Sequence, residues 1–235
     1  NPRTGWLAGL IYATSPFTTG GAFSVNTDVL LSLWTILAIL SYWKALTTDK
    51  SIQGRWINLF WLFLGLGFLT KGPPALLILP VILIFQFYLR KTGRPVPSLW
   101  QWFSIGLFFI LGFGWYLWVV LRYPDLLSYF FKDEIVGRIA TNEFNRNPQW
   151  YYPFIAYLPL MLSALLPWAF LWPRHYWTRF YTVLATRQGY GWLKDHDRIV
   201  FLLLWITVPL TVFSLSSSRM PLYVLPCFSA VVLCV

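Results

Sequence analysis

Residues 56–90 read WINLFWLFLGLGFLTKGPPALLILPVILIFQFYLR. The runs 56–70 and 72–89 contain no Asp, Glu, Lys or Arg, and only Lys71 separates them. Gly72 permits a tight turn after the first run, and Pro73 and Pro74 suit the first turn of a second helix. A helix needs about 20 residues to cross the hydrocarbon of a bilayer, with a range of roughly 17–25. Each run is close to one crossing.

The same pattern fills the chain. Charge-free windows recur at 4–27, 29–43, 95–121, 147–173, 199–218 and 220–235. The two shortest, 29–43 and 56–70, have 15 residues each. They span if Asp28, Lys44, Arg55 and Lys71 lie at the interfaces and the long cations snorkel. The alternative is a re-entrant pair over 56–70 and 72–89. Eight crossings are expected, at 5–23, 28–46, 56–71, 73–90, 99–121, 151–172, 199–216 and 220–235. The long connections are then 122–150 and 173–198.

Composition agrees. Of 235 residues, 57% are apolar, 20% aromatic and 11% charged, against roughly 25% charged in an ordinary soluble domain. A soluble globular protein and a disordered chain are both excluded. Two cysteines rule out a disulfide framework. The first residue is not Met and the last ones, Phe228 to Val235, lie inside an apolar run. The expectation is one all-α polytopic membrane domain over 1–235, incomplete at both ends.

Basic residues orient it. With the N-terminus in the cytoplasm, 12 Lys and Arg fall on the inner side, including Lys44, Lys50, Arg90, Arg94 and Arg198, and 6 on the outer. The positive-inside rule favours this arrangement. It also accounts for the net charge of +10 through topology and lipid head groups, so no nucleic-acid partner is expected. Trp56, Trp100, Trp150, Trp172 and Trp205 near span ends fit an interfacial aromatic belt.

That topology gathers Asp28, Lys71, Asp133, Glu134, Arg138, Glu143, Arg219 and Tyr223 on the outer side. Each has a bland reading beside a functional one. Asn26, Thr27 or Asp28 can cap the next helix; a carboxylate at the membrane edge can also take a proton or orient a hydroxyl. Lys71 can simply snorkel, or the Gly72-Pro73-Pro74 turn can fix its ammonium at phosphate level. Glu134 and Arg138 share a helical face and suit a salt bridge. Arg219 and Tyr223 place a cation and a phenol near Pro221 and Pro226, which interrupt a regular helix, or form an ordinary outer turn. His175 and His196 lack zinc spacing, and Cys227 and Cys234 read as packing residues.

Taken in order, four stretches resemble the membrane glycosyltransferases of the GT-C class. The nearest types are the bacterial dolichyl-phosphate-mannose–protein mannosyltransferase-like enzymes and the lipid A aminoarabinose transferases. The stretches are Ala13-Thr-Ser-Pro16 followed by Thr27-Asp28-Val-Leu-Leu; Gly67-Phe-Leu-Thr-Lys71-Gly72-Pro73; Glu134 and Arg138 with Tyr151-Tyr152 through Leu166-Pro167-Trp168; and Ser214 through Pro226.

The resemblance implies a GT-C-like helix bundle with short interfacial helices in its outer loop. It implies a multi-pass enzyme of the bacterial inner membrane, with its active site on the periplasmic side. The sugar would pass from a polyprenyl-phosphate donor to a lipid, protein or glycan acceptor. Asp28 matches the family's early carboxylate and is the catalytic candidate in this chain. The family's leading candidate for the catalytic base is an acid in a first outer loop that precedes residue 1. Lys71, Arg138, Arg219 and Tyr223 are implied to contact donor phosphate or substrate, with Arg219 standing where the family usually has lysine. Glu134 is a candidate ligand for substrate or a divalent metal ion, although Ile135 replaces the family's histidine, and no cofactor is named. The rival reading is a transporter or flippase. Against it, ionisable residues avoid the middles of the expected spans and no repeat is visible.

Overall fold

The structure, a computed structural model, describes residues 2–24, 26–130, 147, 149–166, 168–171, 197–216 and 218–234. Every regular element among the described residues is a helix, as the charge-free windows require. Helix α1 spans Pro2–Thr14, α2 Pro16–Phe23, α3 Asp28–Thr47, α4 Lys50–Lys71, α5 Ile78–Lys91 and α6 Trp102–Arg122. After the one-turn helix α7 (Asp125–Ser128) come α8 (Leu158–Ala164), α9 (Asp197–Leu215) and α10 (Leu225–Cys234). Among the described residues, Asp28–Thr47, Lys50–Lys71, Pro73–Lys91, Trp102–Arg122 and Asp197–Leu215 are long and apolar enough to cross a membrane. The two 15-residue windows therefore sit inside helices of 20 and 22 residues, because Lys44, Lys50, Arg55 and Lys71 continue the helices to their polar ends. At about 1.5 Å per residue each reaches roughly 30 Å.

The other expected spans are shorter or broken. Residues 5–23 form two helices, not one. Pro16 has no N–H to continue α1, and Ser15 Oγ instead accepts from the Phe17 N–H at 3.3 Å and donates to the Ala164 carbonyl at 2.8 Å. Residues 151–172 hold a wide turn at Pro153–Tyr157 before α8 ends at Ala164. Residues 220–235 begin with a 3-10 turn at Pro221–Val224, and Pro226 then falls in the first turn of α10, where a missing N–H costs nothing. Of the long connection expected on the outer side, α7 is described; 131–146 lies outside the described residues, as does 172–196 on the expected inner side.

Helices α3 and α4 lie antiparallel, joined through Thr48 and Asp49, and α6 runs alongside α4. Trp34 Nε1 donates to Thr70 Oγ1 at 3.1 Å and pins the α3–α4 register near one end. Along α4 and α6, Gly65 lies where an added Cβ would stand 3.3 Å from the Phe108 Cα, so the two backbones approach closely. Stacked rings fill the seam: Phe68 and Phe113 centroids are 4.4 Å apart. A second aromatic cluster joins α3, α4, α5 and α9 through Tyr42, Trp43, Phe60, Phe85 and Phe201, all but Trp43 fully buried. Ile11, Phe17, Tyr157, Val224 and Phe228 make the core between α1, α2, α8 and α10. Trp102, Phe103, Ile110 and Leu121 of α6 stay exposed. Such a surface is a liability in water and the expected one against lipid tails.

The bundle has two chemically different ends. At one, Arg94 forms an ion pair with Asp197, and the extended stretch after α5 is held by Gln86 Nε2 to the Pro97 carbonyl (2.9 Å) and Trp61 Nε1 to the Leu99 carbonyl (3.0 Å). The other end holds Asp28, Lys71, Arg219 and Tyr223.

Candidate functional site

Asp28 opens α3. The preceding turn is built by Asn26, whose Oδ1 accepts from the Asp28 N–H at 2.9 Å and whose Nδ2 donates to the Ser24 carbonyl at 2.9 Å and Ser24 Oγ at 2.7 Å. Thr27, at the cap position, makes no side-chain cap bond. With the turn satisfied by Asn26, the Asp28 carboxylate is left to face the end of α4. There Lys71, the last residue of that helix, forms a charge-assisted hydrogen bond with Asp28 Oδ1. The side chains are 16% and 8% exposed for Lys71 and Asp28, so the pair is largely shielded from water yet not sealed.

Lys71 cannot drift because the chain turns immediately after it. Gly72 has φ 72° and ψ −137°, a combination essentially restricted to glycine, and its N–H returns to the Phe68 carbonyl at 2.6 Å. Pro73 and Pro74 then start a 3-10 turn. The Lys71 ammonium also lies over the Tyr223 ring, 4.9 Å from its centroid. That ring rests on Phe213 of α9, centroid to centroid 5.3 Å.

Arg219 occupies the same end and is 6% exposed. Its Nε and Nη2 donate to the Ser214 carbonyl at 3.1 and 2.8 Å. Its Nη1 donates to the carbonyls of Asn147 and Gln149 at 3.2 and 2.8 Å. Asn147, at φ 55°, returns a bond from Nδ2 to the Arg219 carbonyl at 3.0 Å. Arg219 thus ties the end of α9 to Asn147 and Gln149, at the far end of the 122–150 connection, and most of its donors already hold backbone oxygen.

Of the residues expected at the site, the structure brings together Asp28, Lys71 and Tyr223 and sets Arg219 nearby. Glu134 and Arg138, with Asp133, Glu143, His175 and His196, lie outside the described residues. Among the described residues no three His, Cys, Asp or Glu side chains converge. Sequence reasoning did not single out Phe213, Asn147 or Gln149. Phe213 carries no local signal among the chain's 20 Phe, and Asn147 acts 72 residues away through a backbone contact.

The arrangement can hold an anion. A fixed ammonium at one end of an apolar helix bundle, balanced by one carboxylate and an uncharged aromatic face, suits a lipid-borne anion at the membrane surface. This is a multi-pass helical membrane protein with a polar site at one end of its bundle.

The comparisons are specific. Residues 1–129 match the family described as dolichyl-phosphate-mannose-protein mannosyltransferase, and the chain belongs to that family. It is 31% identical, over 99% of its length, to an undecaprenyl phosphate-alpha-4-amino-4-deoxy-L-arabinose arabinosyl transferase of Serratia proteamaculans, covering 40% of that protein. It is 34% identical over 97% of its length to the enzyme of that name from Aeromonas salmonicida, covering 39% of it. The chain thus spans about two fifths of these relatives. The crystal structure of ArnT from Cupriavidus metallidurans bound to undecaprenyl phosphate matches with TM-score 0.70 at 20% identity, over 99% of this chain and 40% of that one. At that identity the match establishes the shared fold.

Proposed function

We propose that this chain is part of an integral-membrane glycosyltransferase that moves a sugar from an undecaprenyl-phosphate-type donor to a lipid acceptor. The donor class and the sugar, a 4-amino-4-deoxy-arabinose unit, follow the names of the 31–34% identical relatives, and lipid A as the acceptor follows the resemblance to the lipid A aminoarabinose transferases. The enzyme works at the periplasmic face of the bacterial inner membrane, with Asp28, Lys71, Arg219, Tyr223 and 122–150 on that side and eight crossings in this chain.

The observation that carries the reading is the Lys71 ammonium, fixed by the Gly72 turn and shared between Asp28 and the Tyr223 ring. In the reaction, the acceptor hydroxyl oxygen bonds to the anomeric carbon as the bond from that carbon to the phosphate oxygen breaks. The phosphate leaves with the electron pair, and the hydroxyl proton passes to a carboxylate. Lys71 offsets the growing charge on the leaving phosphate. Asp28 holds Lys71 in place and, when the ammonium turns to phosphate, presents a carboxylate that orients the acceptor or takes its proton. Arg219 keeps Asn147 and Gln149 against the site and directs its positive charge to the same end. The exposed apolar face of α6 can lie against a lipid tail beside the bundle, so the donor stays in the bilayer.

The test is transfer by the purified full-length protein, given undecaprenyl-phosphate-linked aminoarabinose and lipid A. Mass spectrometry of the acceptor should show one added sugar; an unmodified acceptor with intact donor overturns the assignment.

A further inference from the structure

We infer that Tyr223 serves the site through its ring face, by holding the Lys71 ammonium, and that Phe213 is the residue that positions that ring. This rests on the reading that Lys71 meets the donor phosphate. Three observations carry it. The Lys71 ammonium lies 4.9 Å from the Tyr223 ring centroid, within the ~6 Å over which a cation is drawn to an aromatic face. The same ammonium is bound on another side by Asp28, so the carboxylate and the ring hold Lys71 together. Phe213, half-buried on the last turns of α9, packs on that ring at 5.3 Å with a 40° tilt, while Tyr223 is set in place by the 3-10 turn that begins at Pro221.

The two partners of Lys71 do different things. A carboxylate holds an ammonium by cancelling its charge. An aromatic ring holds it through its quadrupole and carries no net charge, so the field that draws a phosphate survives. When the donor phosphate competes with Asp28 for Lys71, Tyr223 is the contact that need not be given up. Phe213 acts through Tyr223, on whose ring it packs.

The experiment compares Tyr223→Leu, Tyr223→Phe and Phe213→Leu in the full-length protein. A cation–π contact of this kind corresponds to about three- to thirtyfold in affinity. Tyr223→Leu should raise the donor KM by that factor with a smaller change in kcat. Tyr223→Phe, which keeps the ring, should show the smaller rise, and Phe213→Leu should move KM in the same direction as Tyr223→Leu. A second measurement does not depend on turnover: the rate at which Lys71 is modified by an amine-reactive reagent, followed by mass spectrometry. It should rise in Tyr223→Leu and Phe213→Leu and stay nearer to wild type in Tyr223→Phe. If Tyr223→Phe is as impaired as Tyr223→Leu in both readouts, the hydroxyl is what matters and the inference is wrong. If Phe213→Leu leaves both unchanged, Phe213 has no positioning role. Should the wild-type protein transfer no sugar, the proposed function fails while the labelling rates still decide the ring's part. Should Tyr223→Leu not fold, Phe213→Leu against Tyr223→Phe decides alone.

Discussion

Breaking the Asp28–Lys71 pair at both partners should cost less than the sum of the costs of breaking it at each. The pair joins the first residue of α3 to the last of α4, with side chains only 8% and 16% exposed. Exposed pairs contribute about 0–1 kcal/mol, and removing one partner of a fully buried pair costs about 3–5 kcal/mol because the other charge is stranded. This site lies between these limits. Lys71 keeps some access to water and retains the Tyr223 ring, so Asp28→Asn should destabilise by about 2 kcal/mol. Lys71→Met strands the carboxylate at the N-terminus of α3, where the helix dipole softens the loss by roughly 0.5 kcal/mol, giving about 1.5 kcal/mol. The double variant leaves no stranded charge and should cost clearly less than the sum, with a coupling of about 1–2 kcal/mol. Thermal unfolding of the full-length protein in detergent, for wild type and all three variants, reads this directly. Additivity within about 0.5 kcal/mol would refute the claim that the two side chains depend on each other.

Other consequences follow from the same geometry. Gly72→Ala should lower stability by about 1–3 kcal/mol through backbone strain at its positive φ, measured by unfolding; space is not the cause, since among the described residues an added Cβ would find only the Tyr116 hydroxyl, at 3.8 Å. Arg219→Ala strands the carbonyls of Ser214, Asn147 and Gln149, and the loss should appear as faster proteolysis and hydrogen exchange around 147–150. In intact cells, cysteines introduced into 174–198 should stay unlabelled by a reagent confined to the periplasmic side, and labelling there would sink the proposed orientation.

The helices were legible because charge marks their ends. Asp28, Lys44, Lys50 and Lys71 bracket windows that fold as α3 and α4, only extended at their polar ends by a turn or so. Charge says nothing about hydrogen-bond punctuation, so the break at Ser15–Pro16 was hidden inside a charge-free window even though a Ser-Pro pair is a helix-start signal. Asp28 and Lys71 stood out singly, each beside a turn. Their pairing depends on the antiparallel register of α3 and α4, set by contacts such as Trp34 to Thr70, which no local pattern announces. The same is true of Arg219, whose donors reach carbonyls 5, 70 and 72 residues away, and of Phe213 behind Tyr223.

The most direct measurement is the rate of sugar transfer from a polyprenyl-phosphate donor by full-length wild type and Lys71→Ala, each shown to be monodisperse. A charge-assisted hydrogen bond contributes about 1.5–3 kcal/mol, so the variant should be roughly tenfold to hundredfold slower. Transfer by Lys71→Ala at the wild-type rate would contradict the assignment of this end of the bundle as the phosphate site.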